Sequence, residues 1–169
     1  FKTLGIETKQ ETLNLYLDYL VKTFTLFELK NFSWSDRSIS NSSPKFYAID
    51  TGILNIYKSP ANNFPKQLEN LVYLKLKSNS QIKNIYYASD GKREMDFVAE
   101  DWSGAFTKYQ VTQELNSINQ ERELEPFHYC DQYLKEYPNI LLVFNGYNET
   151  IDYQGSKIEQ LNLVKWLID

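Results

Sequence analysis

Apolar residues recur along this chain in two rhythms, and the switches between them mark out its elements. Leu13, Tyr16, Leu17, Leu20, Val21 and Phe24 fall three and four residues apart, which predicts a helix beginning near Lys9. Thr8 and Glu11 fit a capping box at its start, where a hydroxyl and a carboxylate can each satisfy a free backbone N–H. From Phe24 to Leu29 apolar and polar residues alternate, predicting a strand that turns at Asn31–Trp34. A Ser- and Asn-rich stretch, Ser35–Ser43, reads as a boundary loop. Lys45–Asp50 alternates again and ends at the turn signal Asp50-Thr51-Gly52, and Pro60–Pro65 reads as a loop. Lys66–Lys77 then places Leu68, Leu71, Val72 and Leu76 on one helical face, with Glu69 at its edge.

The second half reads as strands with a helix between them. Ile82–Tyr87 is an expected strand, Asp90-Gly91-Lys92 a turn, and Glu94–Glu100 a strand with Met95, Phe97 and Ala99 on one face and Asp96, Val98 and Glu100 on the other. Ala105–Val111 is its partner. Gln120–Glu136 has helical spacing, with Leu124, Phe127 and either Tyr133 or Leu134 inward. Asn139–Phe144 is an unbroken apolar run, as in a strand covered on both faces. Ile158–Leu161 is expected as an edge strand and Val164–Ile168 as a short closing helix. The order indicates an α/β fold, a mixed sheet flanked by helices.

Composition narrows the function classes. The chain has 169 residues, 42% of them hydrophobic, enough for a packed core. Its 18 basic and 22 acidic residues give a net charge of -4, so any nucleic-acid role rests on a local patch or a partner. The single cysteine, Cys130, allows no internal disulfide, and no apolar run approaches a membrane span of about 18 residues, so a cytoplasmic setting is expected. The pattern Gly-x-x-x-x-Gly-Lys-Ser/Thr is absent, which excludes a P-loop ATP site. The opening Phe1-Lys2-Thr3-Leu4-Gly5 reads as an element already under way, and the chain is expected to be the C-terminal piece of a longer protein.

The chemistry-bearing residues gather around the expected hairpin. Asp96 on its first strand can face Gln110 and Thr112 on the second, since residues two apart share a face, and Glu69 can approach from the preceding helix. Carboxylates and a carbonyl so placed are what a hard cation such as Mg²⁺ requires, and a phosphodiesterase would add a group that activates or positions water. A Glu/Gln-x-Lys tripeptide on the second strand would supply that group, and in Gln110-Val111-Thr112 the third position is Thr112. Lys108, on the same face, is a candidate substitute about 13 Å away along the strand, at about 3.3 Å per residue. Lys92 and Arg93 are others. Spacing alone also fits a structural reading: Asp96 in a hydrogen-bond network, Glu69 an exposed helix acid, Gln110 an ordinary sheet residue. His128, the only histidine, and Cys130 read as packed side chains, and Arg122 as the partner of a carboxylate.

The flanks add a resemblance. Lys45-Phe46-Tyr47-Ala48-Ile49-Asp50-Thr51-Gly52, Leu68-Glu69-Asn70-Leu71-Val72-Tyr73-Leu74, Gly91-Lys92-Arg93-Glu94-Met95-Asp96-Phe97-Val98, Gln110-Val111-Thr112, Glu121-Arg122-Glu123 and Val164-Lys165-Trp166-Leu167 follow one another in order. With these motifs the chain resembles the C-terminal region of bacterial and archaeal AAA+ superfamily ATPases, whose last domain of unknown function is similar to PD-(D/E)XK nucleases. The resemblance implies a winged helix-turn-helix segment at 1–40 and a restriction-endonuclease-like domain at 41–169. It implies site positions at Glu69, Asp96 and Gln110, with Mg²⁺ as the metal they would hold, and a degenerate lysine position at Thr112. ATP would bind only in a preceding module. The expected partners are that module, DNA and a protein partner, with no membrane. The function implied is a DNA- or partner-binding regulatory module; the alternatives are a Mg²⁺-dependent nuclease and a protein-interaction domain.

Overall fold

The structure, a computed structural model, describes residues 9–32, 43–55 and 60–169, with the backbone alone at 60–62. Helix α1 (Gln10–Lys22) leads into β1 (Leu26–Leu29), which pairs antiparallel with β2 (Lys45–Ala48). The N-cap of α1 is Lys9 and no side chain caps it; Thr8 and most of the polar stretch 35–43 lie outside the described residues. Because β1 and β2 pair, hydrogen bonds cross the expected domain boundary at residue 40. The helix-turn-helix expected ahead of a hairpin is represented, among the described residues, by one α-helix followed by paired strands.

A 3-10 turn (Thr51–Asn55) precedes α2 (Pro60–Ser78), which starts earlier than the spacing predicts and carries Pro65 inside it. A proline this near a helix start forfeits a single intrahelical bond. Its neighbours compensate: Phe64 packs edge-on against Phe144, and Asn63 donates to the Leu54 carbonyl. The sheet follows with β3 (Ile82–Ser89), β4 (Glu94–Asp101), β5 (Phe106–Thr112), α3 (Gln120–Leu134), β6 (Asn139–Val143), β7 (Glu149–Tyr153), β8 (Ser156–Asn162) and α4 (Leu163–Ile168). Its six strands run in the order β3-β4-β5-β6-β8-β7, with β5, β6 and β8 parallel and the remaining neighbours antiparallel.

Two assignments change. The strand expected at the edge, β8, is interior, and the edge belongs to β7. The β7–β8 turn is Gln154-Gly155, both with positive φ (52° and 83°), the conformation that lets a two-residue loop follow the strand twist. Without the usual Asn-Gly, sequence reading passes over it.

Every residue of β6 is buried, which fixes the layering. On one face Leu142 and Phe97 pack under Leu68, Val72, Tyr73 and Leu76 of α2. On the other, Leu141, Val143 and Val98 meet Leu124, Phe127 and Leu134 of α3, so Leu134 and not the exposed Tyr133 turns inward. No helix among the described residues is long and apolar enough to cross a membrane. The strand pair β1–β2 docks on α2 through a stack of Tyr47 on Tyr73, centroids 4.5 Å apart, and through Asn70. The buried Asn70 side chain accepts from the Ala48 N–H at 2.8 Å and donates to the Ala48 carbonyl at 2.9 Å.

Asn70→Ala would strand both backbone groups of Ala48, at about 1–3 kcal/mol each. Urea denaturation is expected to show a loss of about 2–6 kcal/mol; a change within about 0.5 kcal/mol, the range of an ordinary surface substitution, would mean that β2 does not depend on this contact.

Candidate active site

Asp96 owes its position to an irregularity in β4. Between Tyr86 opposite Val98 and Ala88 opposite Met95 the register slips by one residue, an extra residue in β4. Such a bulge re-aims side chains. Strict alternation therefore fails here: Met95 and Val98 both enter the core under α3, while Phe97 packs on the α2 side. The β4–β5 ladder stops at Phe97 opposite Tyr109, and side chains carry it further. Asp96 Oδ2 accepts from the Val111 N–H at 2.9 Å, and Gln110 Oε1 accepts from the Asp96 N–H at 3.1 Å.

Gln110 is thus committed twice, since its Nε2 also donates to Glu123 Oε2 at 3.3 Å. Glu123, buried on α3, takes Arg122 Nε at 3.0 Å and a second guanidinium nitrogen at 2.5 Å, the carboxylate pairing expected of Arg122. Lys108, Gln110 and Thr112 share the buried face of β5, as their spacing predicts. Thr112 Oγ1 is spent on the Glu114 carbonyl at 3.0 Å.

Lys108 does not replace the missing lysine. It is fully buried, and its ammonium donates to Asp131 Oδ1 at 2.5 Å and to the Leu134 carbonyl at 2.6 Å, fastening the end of α3. Of the other expected substitutes, Arg93 is held by Asp90 and Glu125 and lies over the Tyr129 ring. Lys92 lines the cleft, exposed and without an ion pair among the described residues. His128 is half-buried, and burial pushes the Cys130 thiol up to about 12, which makes it unreactive.

The basic group that does reach Asp96 is Lys45, from β2. Its Nζ lies 2.8 Å from Glu94 Oε1, 3.3 Å from Glu69 Oε1 and 3.9 Å from Asp96 Oδ1. Tyr47, two residues on and on the same face of β2, donates its hydroxyl to the same Glu69 oxygen at 2.5 Å. Burial on its own would lower the Lys45 pKa, but Glu69, Asp96 and Glu94 outweigh it and the net shift is upward. Burial, reinforced by Glu69, pushes the Tyr47 phenol far above its ordinary range, so it stays a donor. Burial first, then the Glu69 carboxylate, raises Asp96 well above its usual value despite Lys45. Lys45 is not among the site residues expected from the sequence. The signal was present, in that Lys45 and Tyr47 share one strand face, but nothing local says what that face meets.

The three acids, but not Lys45 or Tyr47, border a cleft of about 520 Å³ between α2, β4, β5 and α3. Glu69, Glu94, Asp96, Glu121, Glu123 and Glu125 line it, against the cations Lys92, Arg93 and Arg122. The structure thus brings Asp96 and Gln110 into direct contact and links Glu69 to Asp96 through Lys45. Mg²⁺ does not fit the expected ligands as they stand. Gln110 Oε1 is bonded to the backbone, Glu69 Oε1 to Lys45 and Tyr47, and among the described residues no three His, Cys, Asp or Glu side chains are grouped to hold a metal.

Comparison with known proteins places the chain only broadly. Residues 2–63 match a family described as a domain of unknown function (DUF8612). The chain is 31% identical over 173 aligned positions to the uncharacterized protein MJ1544 of Methanocaldococcus jannaschii, a match covering 98% of this chain and 38% of that protein. The chain therefore spans well under half the length of that relative. No solved structure matches it.

Two outcomes follow from the buried charges. Lys108→Ala removes the counter-ion of the half-buried Asp131, to which Asn139 Nδ2 still donates, and urea denaturation is expected to register a loss of about 3–5 kcal/mol; retention of wild-type stability would show that Asp131 reaches water. For Asp96, a raised carboxyl pKa means that the folded chain holds more protons than the unfolded one from 3.8 up to the raised value. Its contribution is full at low pH and declines as pH rises through that window. Thermal denaturation from about pH 4 to about pH 7 should show Asp96→Asn losing this decline and matching or exceeding wild type at neutral pH. A variant less stable at neutral pH would instead mark the carboxylate as net stabilising.

Proposed function

We propose that this chain is the C-terminal regulatory module of an AAA+ ATPase, binding DNA or a protein partner through a winged-helix segment and a restriction-endonuclease-like domain whose site does not cleave. The observation that carries this reading is the contact of Lys45 with Glu69, Glu94 and Asp96, which supplies these three acids of the cleft with a cation from within the chain. Thr112 and Lys108 are both engaged elsewhere. The acid-rich lining of the cleft gives no attraction for a phosphodiester backbone. Partner contact falls more naturally to α1, which buries no residue and exposes Leu15, Tyr16, Tyr19 and Leu20. The order helix, strand, strand of α1, β1 and β2 is compatible with the end of a winged helix, whose wing would be β1–β2.

A second reading has one specific observation in its favour. Lys45 brings a basic nitrogen to within 3.9 Å of Asp96, so a nuclease whose lysine comes from β2 instead of β5 remains chemically coherent. One assay separates the two. Supercoiled and linear DNA incubated with the protein and Mg²⁺ or Mn²⁺ is expected to stay intact, with wild type and Asp96→Ala indistinguishable. Cutting by wild type that both Asp96→Ala and Lys45→Ala abolish would establish the nuclease. Salt-dependent retention of uncut DNA would place DNA among the partners, since phosphate contacts release counterions.

A further inference from the structure

We propose that two copies of this chain associate through α1, with the two helices laid end for end about a two-fold axis and Tyr16 and Tyr19 at the centre. This rests on the reading of α1 as the partner surface and names the partner as a second copy. It does not depend on what the cleft binds or whether it cleaves.

The helix α1 has too little support for its length. It has 13 residues, a length that is marginal for a helix standing alone in water, and none of them is buried. Its polar strip is satisfied internally, since Gln10 Nε2 donates to Asn14 Oδ1 at 3.0 Å and Lys22 Nζ to Asp18 Oδ2 at 2.6 Å. Most of the remaining circumference is apolar, as in helices that are covered on several sides. Leu13, Leu17 and Val21 are half-buried, whereas Leu15, Tyr16, Tyr19 and Leu20 stand 39–55% exposed on the outward side.

Phe24, just past the helix, is a second and independent sign. The Phe24 N–H donates to the Val21 carbonyl and the Thr25 N–H to the Leu20 carbonyl, a helix stop whose left-handed residue is usually glycine. Here that residue is Phe24, with φ 57°, and its side chain is left 67% exposed. A bulky side chain held in this conformation at a cost, and kept out of the core, is what a contact surface requires.

Area and charge favour a second copy as the occupant. At their fractional exposures Leu15, Tyr16, Tyr19, Leu20 and Phe24 leave about 600 Å² uncovered, so two such faces bring together about 1,200 Å², the lower end of a specific interface. Glu11 and Lys22 are three helical turns apart and therefore share one flank. When two helices meet end for end, like flanks face each other, so Glu11 of each copy falls beside Lys22 of the other. The opposite flank, with Leu13 and Leu20, meets its own copy as apolar surface. A two-fold pair satisfies both flanks at once, and two-fold pairing is the commonest symmetry of soluble oligomers. A strongly charged partner such as DNA finds no complement on this face, where Asp18 already neutralises Lys22.

The test is equilibrium sedimentation of the 169-residue chain between about 1 and about 300 μM, where a dimer with Kd on the order of 10 μM is expected for an interface of this size. The double variant Tyr16→Lys, Tyr19→Lys changes side chains already exposed in the single chain, so it should keep the wild-type circular dichroism and pair at least about ten-fold more weakly. Glu11→Lys and Lys22→Glu, each alone, should weaken pairing by about three- to ten-fold, and the two variants mixed in equal amounts should pair with each other in preference to themselves. Wild type that stays monomeric throughout would overturn the proposal and give the face to a different protein. A dimer unaffected by the tyrosine changes would overturn it by placing the contact elsewhere. If the tyrosine variant does not fold, the charge variants decide: single changes as tight as wild type, or a mixture that shows no preference, would overturn the end-for-end pair. Salt-dependent DNA retention by a monomeric chain would sink the dimer alone, so the two readings fail separately.

Discussion

A strand buried on both faces can carry polar side chains only if its neighbours are placed to meet them, and β5 imposes this condition on most of the molecule. Lys108, Gln110 and Thr112 all point beneath α3, where an unpaired ammonium, amide or hydroxyl would cost several kcal/mol or force the helix away. The solution is a partner at each level of the strand. Asp131 and the Leu134 carbonyl take Lys108 near the end of α3, Glu123 takes Gln110 near its start, and the Glu114 carbonyl takes Thr112 in the connecting loop. These contacts set the register of α3 on the sheet. Leu124, Phe127 and Leu134 then supply the apolar area between them.

The same condition shapes the site. Gln110 closes the gap where β4 and β5 part, with its carbonyl on the Asp96 N–H, while Asp96 reaches across to the Val111 N–H. These residues are structural before they are anything else. That double duty accounts for the mismatch between ligand types suited to a metal and an arrangement that does not present them. The bulge in β4 makes it feasible by turning Asp96 toward the cleft while Phe97 remains in the core. Lys45 completes the balance from a different element, and its contacts with three carboxylates keep an acid-rich cleft from repelling itself apart.

Much of this organisation was legible in the chain. The helical spacing of Leu68, Val72 and Leu76 places α2, and the unbroken apolar run from Ile140 to Val143 marks the central strand, because in both cases burial repeats with the period of the backbone. Less legible were features without a periodic signature. Pro65 concealed the first turns of α2, since proline is read as a stop even where one lost bond is tolerable. Gln154 lacks the small side chain usual in a tight hairpin, so nothing local signals β7 and Ile158–Leu161 reads as an edge strand. The slip in β4 inverted the expected partners of Met95, because alternation assumes an unbroken ladder.

By itself the sequence determined that Lys108, Gln110 and Thr112 share one strand face, a local property of extended backbone. Only the tertiary structure decided how those groups are used. Lys108, on the correct face, is drawn under α3 because Asp131 lies there, and Lys45, 24 residues before Glu69, becomes the cation of the site because β2 docks against α2. Both outcomes depend on charges brought together from separate elements, and Coulomb interactions across a fold follow distance in space, which spacing along the chain does not report.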